Sequence, residues 1–327
     1  MNDYLRDIGV VAIGRNEGGR LQCCLASALT AGAPLIYVDS GSTDGSPEIA
    51  RAAGADVLEL DPSKPFSAAR ARNEGFQRLL DLEPQIQFVQ FVDGDTVLAP
   101  AWLSKGLKAI KADDRIAAVF GRLIEANPSG SIYNKLCGSD WHIPPGDWRI
   151  CGGNALFRTT VLKEERGFDE SLPVGEEPDL CWRLRHRGYR ILCVDALMAE
   201  HDLGMTTFGQ YWRRAVQSGR GYALIGTRFA RTSDKLWLRE LAINMVTIPF
   251  LLASAAALWY LGGLLAVALL VLAGMCAIAR KCFSLRRRRM SVFDSLLYSL
   301  HVYAFKLPLF IGAIGYLVGG FSNRKNA

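Results

Sequence analysis

Asp93-Gly94-Asp95 ends a hydrophobic run, Phe88 to Val92. Two carboxylates one residue apart at a strand end repel each other, and both lose hydration. A cation between them relieves the repulsion, and Mg²⁺ and Mn²⁺ are commonly held by one or two carboxylates together with substrate phosphates. Gly94 removes a side chain where something must come close to the backbone. The plain alternative is a turn after a strand, since Asp and Gly are common turn residues. A second acidic group, Glu176-Glu177-Pro178-Asp179, matches a helix start, with acidic residues favoured by the helix dipole and proline in the first turn.

These residues need elements to hold them. Ile8 to Gly14 and Leu35 to Val38 read as buried parallel strands, as do Asp56 to Leu60 and Gln87 to Val92. Arg20 to Thr30 carries Leu21, Leu25 and Leu29 on one helical stripe, and Ala31-Gly32-Ala33-Pro34 stops it. Helices are also expected over 47–53, with Pro47 in the first turn, and over 66–80. Such alternation predicts an open, mostly parallel α/β sheet flanked by helices, which binds ligands beyond the carboxyl ends of its strands. Farther on, 102–111 reads as helix and 116–123 as strand. The Gly-, Pro- and aromatic-rich stretch 128–147 reads as an irregular wall or lid. Residues 150–158 carry Cys151-Gly152-Gly153-Asn154, 189–194 reads as a strand, and 178–187 and 208–223 read as helices.

Four motifs stand in order at the ends of these elements. They are Gly14-Arg15-Asn16-Glu17, Val38-Asp39-Ser40-Gly41-Ser42-Thr43-Asp44-Gly45-Ser46, Ala69-Arg70-Ala71-Arg72-Asn73-Glu74-Gly75 and Asp93-Gly94-Asp95. The set resembles the family 2 glycosyltransferases, which have the GT-A fold, over about 8–223. The resemblance implies a nucleotide-sugar donor (UDP- or GDP-linked) and Mg²⁺ or Mn²⁺ as cofactor. It implies contacts to the base or ribose from Asn16, Glu17 and Asp39, and to the diphosphate from Arg70 or Arg72 beside Asn73. Asp95 would ligate the metal, and Asp93 would meet the ribose or a metal-bound water.

Glu176 to Arg183 resembles the family's Glu-Asp-x-x-Leu-x-x-Arg pattern, which carries the base of an inverting transfer. Glu177 stands where the pattern has Asp, so Glu177, Glu176 and Asp179 are all candidates for the base. Clustered carboxylates raise one another's proton affinity, which suits a base. Gly153 and Asn154, in Cys151-Gly152-Gly153-Asn154, are expected near the donor sugar or acceptor. Trp141, His142 and Trp148 could line a sugar pocket. His201 matches a metal or phosphate position. Gln210-Tyr211-Trp212-Arg213-Arg214 approaches the Q-x-x-R-W of processive synthases, with Arg213 as the substrate contact. Arg214 replaces the Trp, which implies addition of one sugar.

From Leu241 to Ala279 the chain has no charged side chain over 39 residues. One span needs roughly 20 such residues, so a hairpin is expected, with helices at about 241–260 and 261–279 and a turn near Gly262-Gly263. The organisation expected is a catalytic domain over 1–235 and a membrane region over 236–327. Arg280-Lys281 and Arg286 to Arg289 would then face the cytoplasm, and the catalytic domain with them. Residues 292–321 read as an interfacial or partly inserted segment; a third span would put Arg324 and Lys325 outside, against the charge rule. The net charge is +6, concentrated near Arg286 to Arg289, which favours membrane lipids as partners over nucleic acid. None of the eight cysteines forms a C-x-x-C pair, so they read as buried thiols in a reducing compartment. Met1-Asn2-Asp3-Tyr4 begins without a basic start and apolar core, so no secretory signal is expected. The function expected is transfer of a sugar to a lipid-linked glycan or similar acceptor at the inner membrane, alongside other cell-surface polysaccharide assembly proteins. The alternatives are a polyprenyl-phosphate sugar transferase, which needs no base, and a non-catalytic nucleotide-sugar-binding subunit.

Overall fold

The computed structural model describes residues 6–30, 32–141, 143–287 and 290–324. Met1 to Tyr4, Ala31, His142, Arg288, Arg289 and Lys325, which enter the expectations above, lie outside them. The chain divides into two compact units, Met1–Gly204 and Met205–Ala327.

In the first unit, strands β1 (Ile8–Gly14), β2 (Leu35–Asp39), β3 (Asp56–Glu59) and β4 (Phe88–Asp93) alternate with helices α1 (Gly19–Leu29), α2 (Ser46–Ala53) and α3 (Ala68–Leu82). They pair in parallel in the order β3-β2-β1-β4. Strands β1, β2 and β4 are apolar runs because both faces of the sheet are covered. The parallel register brings Gly14 beside Asp39 and Ile13 beside Asp93, so the polar loops after β1, β2 and β4 meet at one edge.

The chain continues through β5 (Thr96–Leu98), α4 (Trp102–Ile110), β6 (Ile116–Glu125), α5 (Ile132–Gly138), β7 (Gly146–Asp147), β8 (Ala155–Arg158), α6 (Thr159–Glu164), α7 (Glu176–His186) and β9 (Arg190–His201). Here the sheet becomes mixed. Strand β8 is antiparallel to β4 and β6, β9 is parallel to β6, and β5 and β7 are antiparallel to β9. Buried Gln90 on β4 accepts the Trp102 indole N–H at 2.8 Å and donates to the Phe91 carbonyl at 2.7 Å. That pairing fastens α4 to the sheet without leaving a buried polar group unmatched.

Two segments differ from expectation. The stretch 128–147 is not irregular throughout: α5 forms in it, capped by the Ser131 hydroxyl at the Asn134 N–H, and a 3₁₀ turn follows at Ser139–Trp141. The Asn134 side chain, buried, donates to Glu125 at 3.1 Å, which holds this helix on β6. Strand β9 does not end at Val194 but runs to His201, because its second half pairs with both β6 and β5.

The second unit holds α8 (Phe208–Arg228), α9 (Leu238–Arg286), α10 (Val292–Ala304) and α11 (Lys306–Arg324). Its start lies upstream of the expected boundary at 236, because the small-residue face of α8 packs on α11. A Cβ built on Gly219 would strike the Leu309 carbonyl, and one on Gly312 would strike the Val216 carbonyl. The two backbones therefore touch directly. Helix α9 contains one non-helical residue, Gly263, with φ 56° and ψ −145°, beside the turn expected at Gly262-Gly263. Helix α9 is long and apolar enough to cross a membrane, and so is the stretch Val292–Gly319. Phe250, Leu252, Tyr260, Leu261, Leu264 and Leu265 on α9 are exposed.

Candidate active site

The edge where β1, β2 and β4 end carries the charged residues. Helix α3 sends Arg72 into it, and Arg72 is only 4% exposed. Its guanidinium donates to Asp93 Oδ1 at 2.9 Å and to Glu176 Oε1 at 2.7 Å. The guanidinium also lies over the Phe168 ring, 5.6 Å from its centre. Burial alone would lower the Arg72 pKa; the charges of Asp93 and Glu176 outweigh that and raise it. Asn154 completes the frame. Its Oδ1 accepts the Asp93 N–H at 2.8 Å, and its Nδ2 donates to Asp93 Oδ2 at 3.1 Å. Gly153 leaves the space: a Cβ there would sit 2.5 Å from Arg72 Nη2 and 3.1 Å from Asp93 Oδ2.

Asp95 lies one residue past Gly94, at the start of β5. The β5–β9 pairing sets Thr96 against His201 and brings His201 Nε2 within 2.9 Å of Asp95 Oδ1. Burial pushes the Asp95 carboxyl up, but the hydrogen bond and charge of His201 prevail and hold it below the usual carboxylate range. The Trp141 ring lies 4.9 Å from that of His201. Gly94 faces Glu17, and a Cβ there would be 2.9 Å from Glu17 Cγ. Burial first, then the charge of Asp95, pushes the Glu17 carboxyl up, against the pull of Arg20 at 2.8 Å. Asp95 and His201 thus lie in contact, with the Glu17 carboxylate close enough to feel the charge of Asp95. A carboxylate oxygen beside an imidazole nitrogen is a donor pair that suits Mn²⁺ or Mg²⁺. Among the described residues, the group of three ligand atoms within 4.8 Å of one another is Cys151, Glu177 and Cys181.

Other expected residues are placed differently. Asp39 is buried, and its carboxylate accepts the Gly41 and Ser42 N–H groups at 2.9 and 2.7 Å, the Ser42 hydroxyl at 2.5 Å and the Tyr37 hydroxyl at 3.1 Å. A carboxylate has about four lone-pair sites, so the turn after β2 and Tyr37 within that strand already fill them. Asn16, at φ 58°, accepts the Thr43 N–H at 2.7 Å and ties the loops after β1 and β2 together. Asn73 exchanges two bonds of 2.8 Å with the Phe168 backbone and holds the segment before α7. Arg70 serves the β3–α3 connection, donating to the Asp61 and Lys64 carbonyls at 3.0 and 3.1 Å. Asp179 is buried and paired with Arg183 at 2.9 Å, and Trp148 donates to the Pro144 carbonyl at 2.8 Å. Arg213 is exposed on α8, in the second unit.

Glu176 and Glu177 part company. Glu176 faces Arg72, whereas Glu177 turns into the core, where its Oε1 accepts the Cys151 N–H at 2.7 Å and the Cys181 thiol at 2.8 Å. The two thiols were legible only as buried cysteines. The spacing of Glu177 and Cys181, one helical turn apart, is the signal that would have joined them. Burial pushes the Glu177 carboxyl up. The folded chain then holds a proton that the unfolded chain releases above about 4.5. Stability therefore falls as pH rises through the window above that value. Glu177→Gln, which has no charge to bury, is expected to match the parent near pH 4 and to exceed it as pH rises above about 4.5, the gap levelling off once the folded carboxyl itself ionises. Calorimetric melting across that range checks it, and a pH-independent difference would refute it.

Residues 10–164 match the model for glycosyl transferase family 2. This stretch is a family 2 glycosyltransferase domain. The chain is 28% identical over 211 residues to the pre-mycofactocin glycosyltransferase of Mycobacterium tuberculosis, covering 60% of this chain and 43% of that one. It is 26% identical over 196 residues to the succinoglycan biosynthesis protein ExoA of Rhizobium meliloti, covering 55% and 58%. The chain thus spans about half the length of these curated relatives. The glycosyltransferase fold is also that of the mannosyltransferase PcManGT from Pyrobaculum calidifontis, solved with GDP-Man and Mn²⁺. There the TM-score is 0.68 at 18% identity, over 96% of this chain and 88% of that one.

Proposed function

We propose that this chain is a membrane-attached, inverting glycosyltransferase. It moves a sugar from a UDP- or GDP-sugar to a lipid-linked acceptor in cell-surface polysaccharide or glycolipid assembly. The observation that carries this reading is the convergence of Asp93, Asn154 and Glu176 around buried Arg72, beside the Asp95–His201 pair. Asp95 and His201, with Asp93 beside them, would hold Mg²⁺ or Mn²⁺, which when bound supplies positive charge to the departing diphosphate. Arg72 and Asn154 fix the Asp93 carboxylate for the donor. Arg72 also orients Glu176 through Oε1, which leaves Oε2 to take the proton. An acceptor hydroxyl attacks the anomeric carbon, its proton passes to Glu176, and the C–O bond to the diphosphate breaks with its electron pair.

The apolar helices of the second unit suit an enzyme whose acceptor is held in a membrane. The break at Gly263 supports a hairpin in α9, and the basic cluster from Arg286 supports a cytoplasmic catalytic domain at the inner membrane. Membrane lipids and other assembly proteins are the partners this arrangement suits. The test is to incubate membranes carrying the chain with radiolabelled UDP- and GDP-sugars and lipid acceptors, with Mn²⁺ or with a chelator. Label is expected in lipid only with the metal. Label in lipid under chelation would overturn the metal-dependent reading. Glu176→Gln retaining full transfer to a polyprenyl phosphate would favour an acceptor that needs no base.

A further inference from the structure

Helix α7 opens with two adjacent carboxylates in unlike surroundings. Glu176 reaches Arg72, while Glu177 is 6% exposed and bonds only inward among the contacts described above. One oxygen of Glu177 receives both the Cys151 N–H and the Cys181 thiol, whose sulfur lies 3.5 Å from that of Cys151. Cys151 begins the run that ends in Gly153, which makes room for Arg72, and Asn154, which holds Asp93 by two bonds. A single buried oxygen thus ties the segment carrying Asn154 to the helix turn carrying Glu176.

A carboxylate in such a place costs free energy unless its bonds fix something in return. Here they join two segments, at 151–154 and 176–181, that meet the Arg72–Asp93 pair from its two sides: Asn154 bonds Asp93 and Glu176 bonds Arg72. A proton acceptor, by contrast, must reach the acceptor hydroxyl. We propose that Glu177 is a positioning residue: it clamps the Cys151–Asn154 segment to α7, and so sets Asn154 and Glu176 in register around Arg72. This rests on the function proposed above, in which Glu176 takes the proton.

Three variants of the full chain in detergent separate the roles, each followed by two readouts. The first is amide hydrogen exchange over 150–156 and 176–181. The second is Mn²⁺-dependent hydrolysis of UDP-glucose and GDP-mannose between pH 5 and 9, with binding of UDP and GDP measured alongside. Glu177→Gln keeps an oxygen to accept both bonds. It should keep the exchange protection, the pH profile and a rate within about fivefold of the parent. Glu177→Ala should speed exchange at 151–154 by about tenfold or more and cut kcat about 30-fold, with diphosphate affinity within about threefold. Glu176→Gln should keep the protection but lose about 10²-fold or more in rate, together with the acidic limb of the pH profile. The proposal is overturned if Glu177→Gln loses rate and acidic limb as Glu176→Gln does, because Glu177 is then the base. It is equally overturned if Glu177→Ala leaves exchange unchanged. A parent chain that hydrolyses neither probe and binds neither diphosphate would sink the proposed function, and the exchange arm would still decide the clamp.

Discussion

Arg72→Ala is expected to lower the melting temperature of the first unit by about 10 °C and to cut sugar transfer by about 10²–10³-fold. The reason is electrostatic. Asp93 and Glu176 come from different elements, and both bond to the Arg72 guanidinium at 2.7–2.9 Å. Removing it leaves two half-buried carboxylates facing each other with no cation between them. Breaking a buried pair in this way typically costs about 3–5 kcal/mol. Arg72→Lys should restore only part of the loss, since an ammonium is a point charge and cannot fork between two carboxylates. Gly153→Ala should reproduce the loss of activity with Arg72 still in the sequence, because its Cβ would displace the same guanidinium. Calorimetry and a transfer assay on the three variants check this. An Arg72→Ala chain with parental melting and activity would refute the bridge.

The second large effect belongs to the other unit. Gly312→Ala is expected to disrupt the packing of α8 on α11, because the added methyl would meet the Val216 carbonyl rather than a side chain that can swing away. Overpacking usually costs about 1–3 kcal/mol, and backbone against backbone belongs at or beyond the upper end. Gly315, one turn on, has nothing within 4 Å of its would-be Cβ. Gly315→Ala should therefore be neutral, or stabilising by up to about 1 kcal/mol from helix propensity. Resistance of the second unit to limited proteolysis in detergent compares the pair. Equal resistance of the two variants would refute the close contact.

The parallel half of the sheet was legible because its signal is local: β1, β2 and β4 are short apolar runs ending in polar loops. The register that makes those loops converge follows from the α/β alternation. The antiparallel strand β8, between β4 and β6, was not legible as such, because pairing direction depends on contacts tens of residues away. The same limit applies within the site. Asp93, Asp95 and His201 stood out by type and position; the structure pairs Asp95 with His201, while Asp93 is held by Arg72 and Asn154. The direction of Glu177 could not be read, since it depends on Cys151, 26 residues earlier. Nor could it be read that Asp39 fills its lone pairs from the turn that follows it and from Tyr37 on its own strand. Helix α8 looked like part of the catalytic domain by composition. Its packing on α11 shows in Gly219 against the Leu309 carbonyl, Gly312 against the Val216 carbonyl and Ala223 beside Ala313.

The stretch that matches the family ends at residue 164, before α7 and β9 begin. Asp39, Arg72, Asp93, Asp95 and Asn154 lie inside it; Glu176 and His201 lie beyond. Under the proposed roles, most of the grip on the donor lies within that stretch, while His201, which would complete the metal site, and Glu176, which would act on the acceptor, lie beyond it. A crossover in the connection between α6 and α7 could hand an old donor grip a new acceptor preference in one event. Two conditions would screen the survivors. The incoming helix must present a carboxylate to Arg72, and the incoming strand must slot beside β6 and β5 with a partner for Asp95.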